Sequence, residues 1–143
     1  MTELKNVCIV GMGFVGLTLA VVMAEAGHNV IGVEINKDTV KKLKSGQAHF
    51  FETGLEKRLK RVISSRKLHI TSDIKEFESY DYFIITVGTP LDNAGNPRLD
   101  IVKKAAVEVT SVMKDGAVVI LRSTLRLGTT RGVILPILEE SKV

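Results

Sequence analysis

The residues with the clearest chemical purpose form a glycine-rich segment near the start of the chain. Residues 11–16 have the spacing G-x-G-x-x-G and follow an apolar run that is typical of a buried strand. In such a segment Gly11 permits a tight turn, Gly13 lets a pyrophosphate approach the backbone, and Gly16 lets the next helix pack closely on the strand. Because the N–H groups at a helix N-terminus bind anions, the pattern predicts a phosphate site built from backbone.

One acidic residue gives the glycine segment a more specific meaning. Glu34 stands near the predicted end of the second strand, at about the 20-residue spacing that is expected of a ribose-binding acid. Its carboxylate would accept hydrogen bonds from the hydroxyls of an adenosine ribose and would repel a 2′-phosphate. The sequence therefore predicts NAD rather than NADP as the cofactor, with Lys37 close enough in sequence to soften the repulsion.

The elements that must position these residues alternate along the chain. Strands are predicted at Asn6–Val10, Val30–Ile35, Leu68–Thr71, Tyr82–Val87 and Val118–Arg122. Helices are predicted at Phe14–Ala26, Asp38–Lys44, Leu55–Ser64, from Asp100 onward, and at Thr130–Glu140. Asp100 is the predicted N-cap of the fourth helix, and Pro136 is expected to kink or shorten the fifth.

This alternation favours parallel βαβ units. We therefore predict an α/β fold, namely a Rossmann-type doubly wound parallel sheet in a three-layer αβα arrangement that ends before a sixth strand.

Composition limits the possible classes of function. A chain of 143 residues with 45% apolar residues fits one compact domain. The apolar runs are too short to span a bilayer and residues 1–6 are too polar to begin a signal peptide, which predicts a cytoplasmic protein without a membrane partner. The single cysteine, Cys8, excludes an intrachain disulfide and a CxxC site, and no metal site is predicted.

The net charge of +4 comes largely from lysines and arginines between positions 37 and 67. These residues recur at the spacing of exposed helix faces and lack interleaved aromatic residues for stacking bases. We interpret them, together with Lys103 and Lys104, as solvated, and we predict no nucleic-acid partner. The histidines, His28, His49 and His69, have no acid or nucleophile at a fixed offset and are predicted to be non-catalytic.

Three later segments narrow the class of cofactor domain. They are ETGL at 52–55, VGTP at 87–90, and RST at 122–124 with GTT at 128–130. Together with the glycine segment, their order and spacing resemble the NAD-binding domain of the UDP-glucose/GDP-mannose dehydrogenase family over essentially the whole chain. Within the family, the branch that oxidises UDP-N-acetylhexosamines such as UDP-N-acetylmannosamine looks slightly closer than UDP-glucose dehydrogenase.

The resemblance implies that the parent protein is a homodimeric enzyme that oxidises the C6 hydroxyl of a UDP-sugar to a carboxylate. The reaction would use two NAD molecules per turnover and a cysteine thiol in a later domain. Two residues of this chain would take part in the chemistry. Thr124 would lie beside the nicotinamide and help to place the hydrolytic water, and Glu52 would lie on a mobile loop near cofactor and sugar.

The same resemblance implies further contacts with the cofactor. Phe14 and Val15 would line the pyrophosphate, Glu34 would hold the ribose, and Thr89 would touch the cofactor. The family usually has proline where Thr53 and Gly88 stand, so the two loops that contain them are expected to be looser here.

The chain stops one helix after the fifth strand, before the half of the family's enzymes that bears the nucleophilic cysteine. Cys8 cannot replace that cysteine, because a thiol within the first strand is expected to be buried and to behave as a small apolar group. We therefore expect residues 1–143 to form one NAD-binding domain that binds NAD without turnover. A UDP-sugar would bind only with the missing domains.

Two alternatives share the first half of the pattern. A stand-alone NAD-sensing regulatory domain, like the gating domains of potassium channels, has the glycine segment and the acid but lacks the RST and GTT segments. Another dehydrogenase, of the hydroxyacid or phosphogluconate type, would have different loops after the fourth and fifth strands. The later loops therefore favour the nucleotide-sugar dehydrogenase.

Overall fold

The fold is built on one parallel sheet of five strands, seen in a computed structural model that describes residues 3–140. Residues 1–2 and 141–143 of the predicted domain lie outside the described residues. The strands are β1 (Asn6–Val10), β2 (Asn29–Val33), β3 (Leu68–Thr71), β4 (Tyr82–Ile85) and β5 (Val118–Leu121). Their order across the sheet is β3-β2-β1-β4-β5, and every neighbouring pair is parallel.

Helices lie on both faces of this sheet. They are α1 (Phe14–Glu25), α2 (Lys37–Lys44), α3 (Leu55–Ser64), α4 (Asp100–Thr110) and α5 (Leu135–Glu140). Two shorter turns complete the chain, a 3₁₀ turn at Ile74–Glu76 and a π turn at Thr130–Ile134. The predicted Rossmann-type fold with three αβα layers is thus confirmed. No helix in residues 3–140 has both the length and the hydropathy that a membrane span requires.

The core between the sheet and the layer of α1, α2 and α3 contains the more tightly sealed set of apolar residues. Val7 and Ile9 of β1 point to this face, and Leu17 of α1 and Leu59 of α3 meet them with no exposed surface. Burying a leucine of this size stabilises the fold by about 1.5–3 kcal/mol. This layer therefore holds β1, and with β1 the start of the glycine segment, in place.

The core on the opposite face is formed with α4 and the π turn. Side chains alternate along a strand, so Cys8 of β1 points to this side and packs in the same cluster as Phe83 of β4 and Val102 and Val109 of α4. Ile134 of the π turn is also buried here. Helices consequently pack on both faces of the sheet, as its near-continuous apolar strands require.

Each helix layer covers a different part of the sheet. On the α1 side, Val118 and Ile120 of β5 are 45% and 37% exposed, because α1 to α3 pack over β1, β2 and β3. On the α4 side, Ile31 of β2 and His69 of β3 lie beyond α4 and are not fully buried. Two diagonally opposite corners of the sheet therefore have no helix from residues 3–140 over them.

Several element boundaries differ from the prediction. The prediction that Asp100 is an N-cap was wrong: Leu99 is the N-cap and Asp100 is the first residue of α4. The Asp100 carboxylate is instead held by Arg98, with 2.6 Å between Nη2 and Oδ2 and 3.2 Å between Nε and Oδ1. The Asp100 carboxylate thus forms an ion pair with Arg98, two residues earlier, in place of a hydrogen bond to a backbone N–H at the start of α4.

Some predicted elements are shorter or divided. β2 ends at Val33, so Glu34 lies just beyond the strand and its carboxylate is free to turn toward nearby backbone N–H groups. β4 ends at Ile85 and β5 at Leu121, each one or two residues early. The predicted helix Thr130–Glu140 is divided into the π turn and the six residues of α5.

Candidate functional site

The glycine segment connects β1 to α1 at the carboxyl edge of the sheet. Gly11 has a φ of +97°, and a Cβ there would lie 3.1 Å from backbone atoms of Val87. A Cβ on Gly16 would lie 1.8 Å from the Gly11 carbonyl oxygen. Gly13, in contrast, has no heavy atom within 4 Å of its ideal Cβ position. Packing therefore requires the first and third glycines, whereas the second one faces open space at the start of α1.

Thr86 fixes this turn to the neighbouring strand and was missed in the sequence analysis. Its hydroxyl donates to the carbonyl oxygens of Gly11 at 2.7 Å and Val10 at 3.1 Å. The same Oγ1 would lie 2.5 Å from a Cβ on Gly16. The signal available in the sequence was a lone hydroxyl residue at the end of the apolar run of β4.

The Glu34 carboxylate lies over the beginning of the glycine segment. Its Oε2 accepts a hydrogen bond from the Met12 N–H at 3.1 Å, and its Oε1 accepts one from the Asn36 N–H at 2.9 Å. Two backbone donors therefore hold a half-buried negative charge beside the turn. Lys37 is the first residue of α2, and its exposed side chain makes no hydrogen bond or ion pair with residues 3–140.

A cleft of about 260 Å³ lies between the glycine segment and α4. Gly11, Gly13 and Glu34 form one wall, and Ile101 and Lys104 of α4 belong to the other. The cleft is at the carboxyl ends of β1 and β4, where the strand order reverses, and that is the place where open α/β sheets bind ligands. Lys104 is exposed, as predicted, yet it also lines this cleft, which the sequence analysis did not foresee.

Two hydrogen bonds join the loops that follow β4 and β5. The Thr89 hydroxyl donates to the Thr124 carbonyl oxygen at 2.9 Å, and the Ser123 hydroxyl donates to the Val87 carbonyl oxygen at 2.6 Å. Since Val87 and its neighbour Gly88 line the cleft, both loops lie at its edge. The structure thus brings Thr89 and Thr124 together, as residues of one rim.

The loop between α2 and α3 reaches the other side of the glycine segment. The ring of Phe14, the first residue of α1, packs against Phe50 with 5.0 Å between centroids, and Val15 is 42% exposed beside it. Glu52 is exposed two residues after Phe50, and its side chain has no hydrogen bond or ion pair with the described residues. The structure therefore does not bring the Glu52 carboxylate into the cleft.

The titratable residues that line this cleft are Glu34, Lys104 and Glu108, and neither a cysteine nor a histidine is among them. Burial raises the pKa of the Cys8 thiol to about 12, so the thiol is neutral at ordinary pH and faces the α4-side core. None of the three histidines lines the cleft. Residues 3–140 contain no group of three or more His, Cys, Asp or Glu that could hold a metal ion.

The geometry fits a dinucleotide. The open backbone at Gly13 and the N-terminus of α1 can receive a pyrophosphate without a Cβ in the way. The Glu34 carboxylate lies beside the glycine segment, and its oxygens can accept hydrogen bonds from hydroxyl groups such as those of a ribose. The apolar side chains of Val33, Ile35 and Ile101 give the cleft walls against which a flat base can pack.

Comparison with known proteins agrees with this geometry. A family model for the NAD-binding domain of the UDP-glucose/GDP-mannose dehydrogenase family matches residues 5–143. The chain is 38% identical over 125 residues to the UDP-N-acetyl-D-mannosamine dehydrogenase of Pyrococcus horikoshii, a match that covers 87% of this chain and 30% of that protein. It is 35% identical over 139 residues to the GDP-mannose 6-dehydrogenase of Pseudomonas savastanoi, covering 94% of this chain and 32% of that protein.

Solved structures give the same result. The structure of UDP-D-ManNAc dehydrogenase from Pyrococcus horikoshii superimposes with a TM-score of 0.91 at 34% identity, and the match covers 96% of this chain and 33% of that one. The chain thus spans about a third of the length of these relatives.

Proposed function

Because the chain belongs to the UDP-glucose/GDP-mannose dehydrogenase family, whose NAD-binding domain it matches over residues 5–143, we propose that it serves as the cofactor-binding part of a nucleotide-sugar dehydrogenase. The complete protein would oxidise the C6 hydroxyl of a UDP-sugar to a carboxylate. NAD is the cofactor of this domain. The names of the relatives include both UDP-sugar and GDP-sugar enzymes, and the contacts that select the sugar nucleotide would belong to the part of the complete protein that this chain does not cover.

The residues that would hold NAD follow from the cleft. Gly11, Gly13 and Gly16 would shape the turn that receives the pyrophosphate, with Phe14 and Val15 lining it at the N-terminus of α1. In support, Gly13 faces open space while its two partner glycines are required by packing. Backbone N–H groups, rather than basic side chains, would thus bind the pyrophosphate in this domain.

The ribose and the nicotinamide would lie at opposite ends of the same cleft. Glu34 would accept hydrogen bonds from the adenosine ribose, and Lys37 would lie at the outer edge of that position. Thr89 and Thr124 would lie at the other end, which is supported by the hydrogen bond that joins the loops containing them. Bound NAD supplies the hydride acceptor for the oxidation. Thr124 would orient the nicotinamide and the attacking water, and Glu52 would approach with its loop.

The observation that carries the proposal is the position of the Glu34 carboxylate. It accepts the N–H of Met12, the residue between Gly11 and Gly13, so the acid and the pyrophosphate turn are in direct contact. A 2′-phosphate would bring at least one further negative charge next to this carboxylate, and two negative charges close together repel each other. The same contact therefore supports both the dinucleotide site and the preference for NAD.

Calorimetric titration with NAD and NADP tests the assignment directly. We expect the 143-residue chain to bind NAD and to bind NADP more weakly. Glu34→Ala should weaken NAD binding about tenfold or more, because hydrogen bonds to a charged group are lost. It should also reduce the difference in affinity between NAD and NADP. Glu56→Ala, which removes an exposed acid from α3, is the matched control and should bind NAD as the unaltered chain does. NAD binding that is insensitive to Glu34→Ala would contradict the proposal.

Turnover provides a second test. We expect the 143-residue chain to produce no NADH from NAD and a UDP-sugar, since neither a cysteine nor a histidine lines its cofactor cleft. The complete protein should produce NADH, and we expect it to be a homodimer in the cytoplasm. Steady NADH formation at 340 nm by residues 1–143 alone would show that this chain contains a complete catalytic site.

A further inference from the structure

A second cavity lies at the opposite end of the sheet from the cofactor cleft. Its volume is about 680 Å³, which is within the range of small-molecule sites in proteins. Asn6 and Asn29, the first residues of β1 and β2, line this cavity, whereas Val10 and Val33 at the far ends of the same strands line the cofactor cleft. The two cavities are therefore separate sites, about 13 Å apart along the strands.

The inner wall of this cavity is apolar and aromatic. It lies at the corner of the sheet where no helix covers Ile31 and His69, and the segment after β3 takes the place of a helix there. Phe77 of that segment packs against His69 with 4.6 Å between ring centroids, in an edge-to-face arrangement. Tyr80 is buried at the base, where its hydroxyl donates to the Ile74 carbonyl oxygen. Such a wall suits a flat organic group.

The outer rim of the cavity carries unpaired positive charge. Among the basic residues between positions 37 and 67, Arg58 is paired with Glu25 of α1, and Lys60 is paired with Glu56 one turn earlier in α3. Lys44 and Arg66 line the cavity, and neither side chain has an ion pair or hydrogen bond with the described residues. Lys67 also lines it and donates to Asn29 Oδ1 at 3.1 Å. Glu78 is the one acid in the lining, so positive charge is in excess.

Two residues of this rim have a backbone conformation that is usually adopted by glycine. Arg66 and Ser79 are the non-glycine residues with positive φ in residues 3–140, at 57° and 66°, and both line the cavity. Arg66 closes α3, with its N–H donating to Ile63 O and the next N–H donating to Val62 O. Glycine is the usual residue at this place because it adopts positive φ without strain. An arginine therefore occupies this position at a cost in backbone strain.

We propose that this cavity binds a nucleoside phosphate. The phosphate groups would lie against Lys44 and Arg66 at the rim, where unpaired ammonium and guanidinium groups can form charge-assisted hydrogen bonds. The base would lie against the wall formed by Phe77 and His69. The site is independent of the cofactor cleft and therefore does not rest on the function proposed above.

Calorimetry on the 143-residue chain with saturating NAD present tests the proposal with UDP, GDP and pyrophosphate as probes. We expect UDP or GDP to bind and pyrophosphate to bind more weakly, since it lacks the base. Lys44→Ala should weaken nucleotide binding about tenfold, whereas Lys41→Ala, an exposed lysine on the same helix outside the cavity, should not change it.

Arg66→Gly distinguishes loss of the site from loss of the fold. It should weaken nucleotide binding about tenfold while raising Tm by about 2 °C, because glycine relieves the positive φ. Changes in backbone amide chemical shifts on addition of nucleotide, measured in ¹H–¹⁵N spectra, locate the ligand whether or not NAD binds. They are expected at Arg66 and Ser79.

Three results would overturn the proposal. They are the absence of nucleotide binding, nucleotide binding that Lys44→Ala and Arg66→Gly leave unchanged, and amide shifts confined to Gly13 and Glu34. Pyrophosphate binding as tight as that of UDP and GDP would overturn the nucleoside assignment, because the aromatic wall would then contribute nothing.

Discussion

The two edge strands of the sheet differ in how much of their α1-side face is buried. Leu68 and Ile70 of β3 are 2% and 1% exposed beneath α2 and α3. Val118 and Ile120 of β5 occupy the corresponding face at the other edge and are 45% and 37% exposed. The sheet is continuous, and β5 pairs with β4 in full parallel register. Both edge strands are thus hydrogen-bonded into the same sheet, but they differ in how deeply their side chains are buried.

This difference shows where the stability of the domain comes from. The α1-side layer packs over β3, β2 and β1, and these strands lead into the glycine segment and Glu34. β5 is anchored chiefly through Val119 and Leu121 on the α4 side, and both are only half-buried. The part of the cleft that would receive the pyrophosphate and ribose therefore rests on the well-packed half, and the rim with Thr124 rests on the less packed half.

The largest expected effect would come from breaking the contact that seats α1 on β1. Gly16→Val should lower the free energy of unfolding by about 4 kcal/mol or more, since its Cβ alone would overlap the Gly11 carbonyl oxygen. Urea denaturation followed by circular dichroism measures this change. Gly13→Ala is the matched control and should stay within about 1 kcal/mol of the unaltered chain, because its Cβ meets open space. Similar unfolding midpoints for the two variants would contradict the packing role of Gly16.

A pair of equal truncations compares the two edges directly. Ile70→Ala in β3 should destabilise the domain by about 3 kcal/mol, because it removes a fully buried side chain and leaves a cavity. Ile120→Ala in β5 should cost less than about 1 kcal/mol, since that side chain is already 37% exposed. Thermal unfolding of the two variants measures the difference. Equal losses would mean that β5 is buried by an association of the chain in solution, and sedimentation velocity would then detect it.

A smaller effect should appear at alkaline pH and should involve only the α4-side core. Burial raises the pKa of Cys8 to about 12, above the value of about 9 for a free thiol, and burial also raises the pKa of Tyr80. The unfolded chain therefore loses the Cys8 proton first, so the contribution of Cys8 to stability is constant well below pH 9 and falls as the pH rises through 9 toward 12. By pH 9.5 the loss should be roughly 1 kcal/mol.

Cys8→Ala is the control for this pH dependence. The variant should show a shallower fall in stability between pH 8 and pH 9.5 in urea titrations. The buried residues of the α1-side core include no titratable side chain, so they cannot produce the slope. An unchanged slope in Cys8→Ala would assign the effect to other groups.

Much of the fold could be predicted because it depends on patterns that are local in sequence. The predicted bounds of β1, α3 and β3 agree with the structure, since apolar periodicity and the flanking glycine or serine residues mark their ends. The boundaries that were wrong depend on side-chain choices. Asp100 pairs with Arg98 instead of capping α4, and Glu34 leaves β2 to reach two backbone N–H groups.

The candidate site was predictable to the extent that it consists of backbone. Gly11, Gly13 and Gly16 and the acid at position 34 have a spacing that identifies them without knowledge of the fold. Thr86 was missed because its partner, Gly11, is 75 residues away, and Lys104 was missed because an exposed face of α4 also forms a cleft wall. Neither the Thr86–Gly11 contact nor the position of Lys104 at the cleft can be read from the spacing of residues along the chain.

The sequence alone determined that strands and helices alternate, that one turn can receive a pyrophosphate, and that an acid accompanies it, because each of these rests on residues close together in the chain. Only the tertiary structure decided which strands are neighbours, which corners of the sheet no helix covers, and which of many lysines and arginines meet at one cavity. Those outcomes depend on contacts between distant segments. Burial and pairing, rather than residue type, distinguish Arg66 at its cavity from Arg58 in its ion pair.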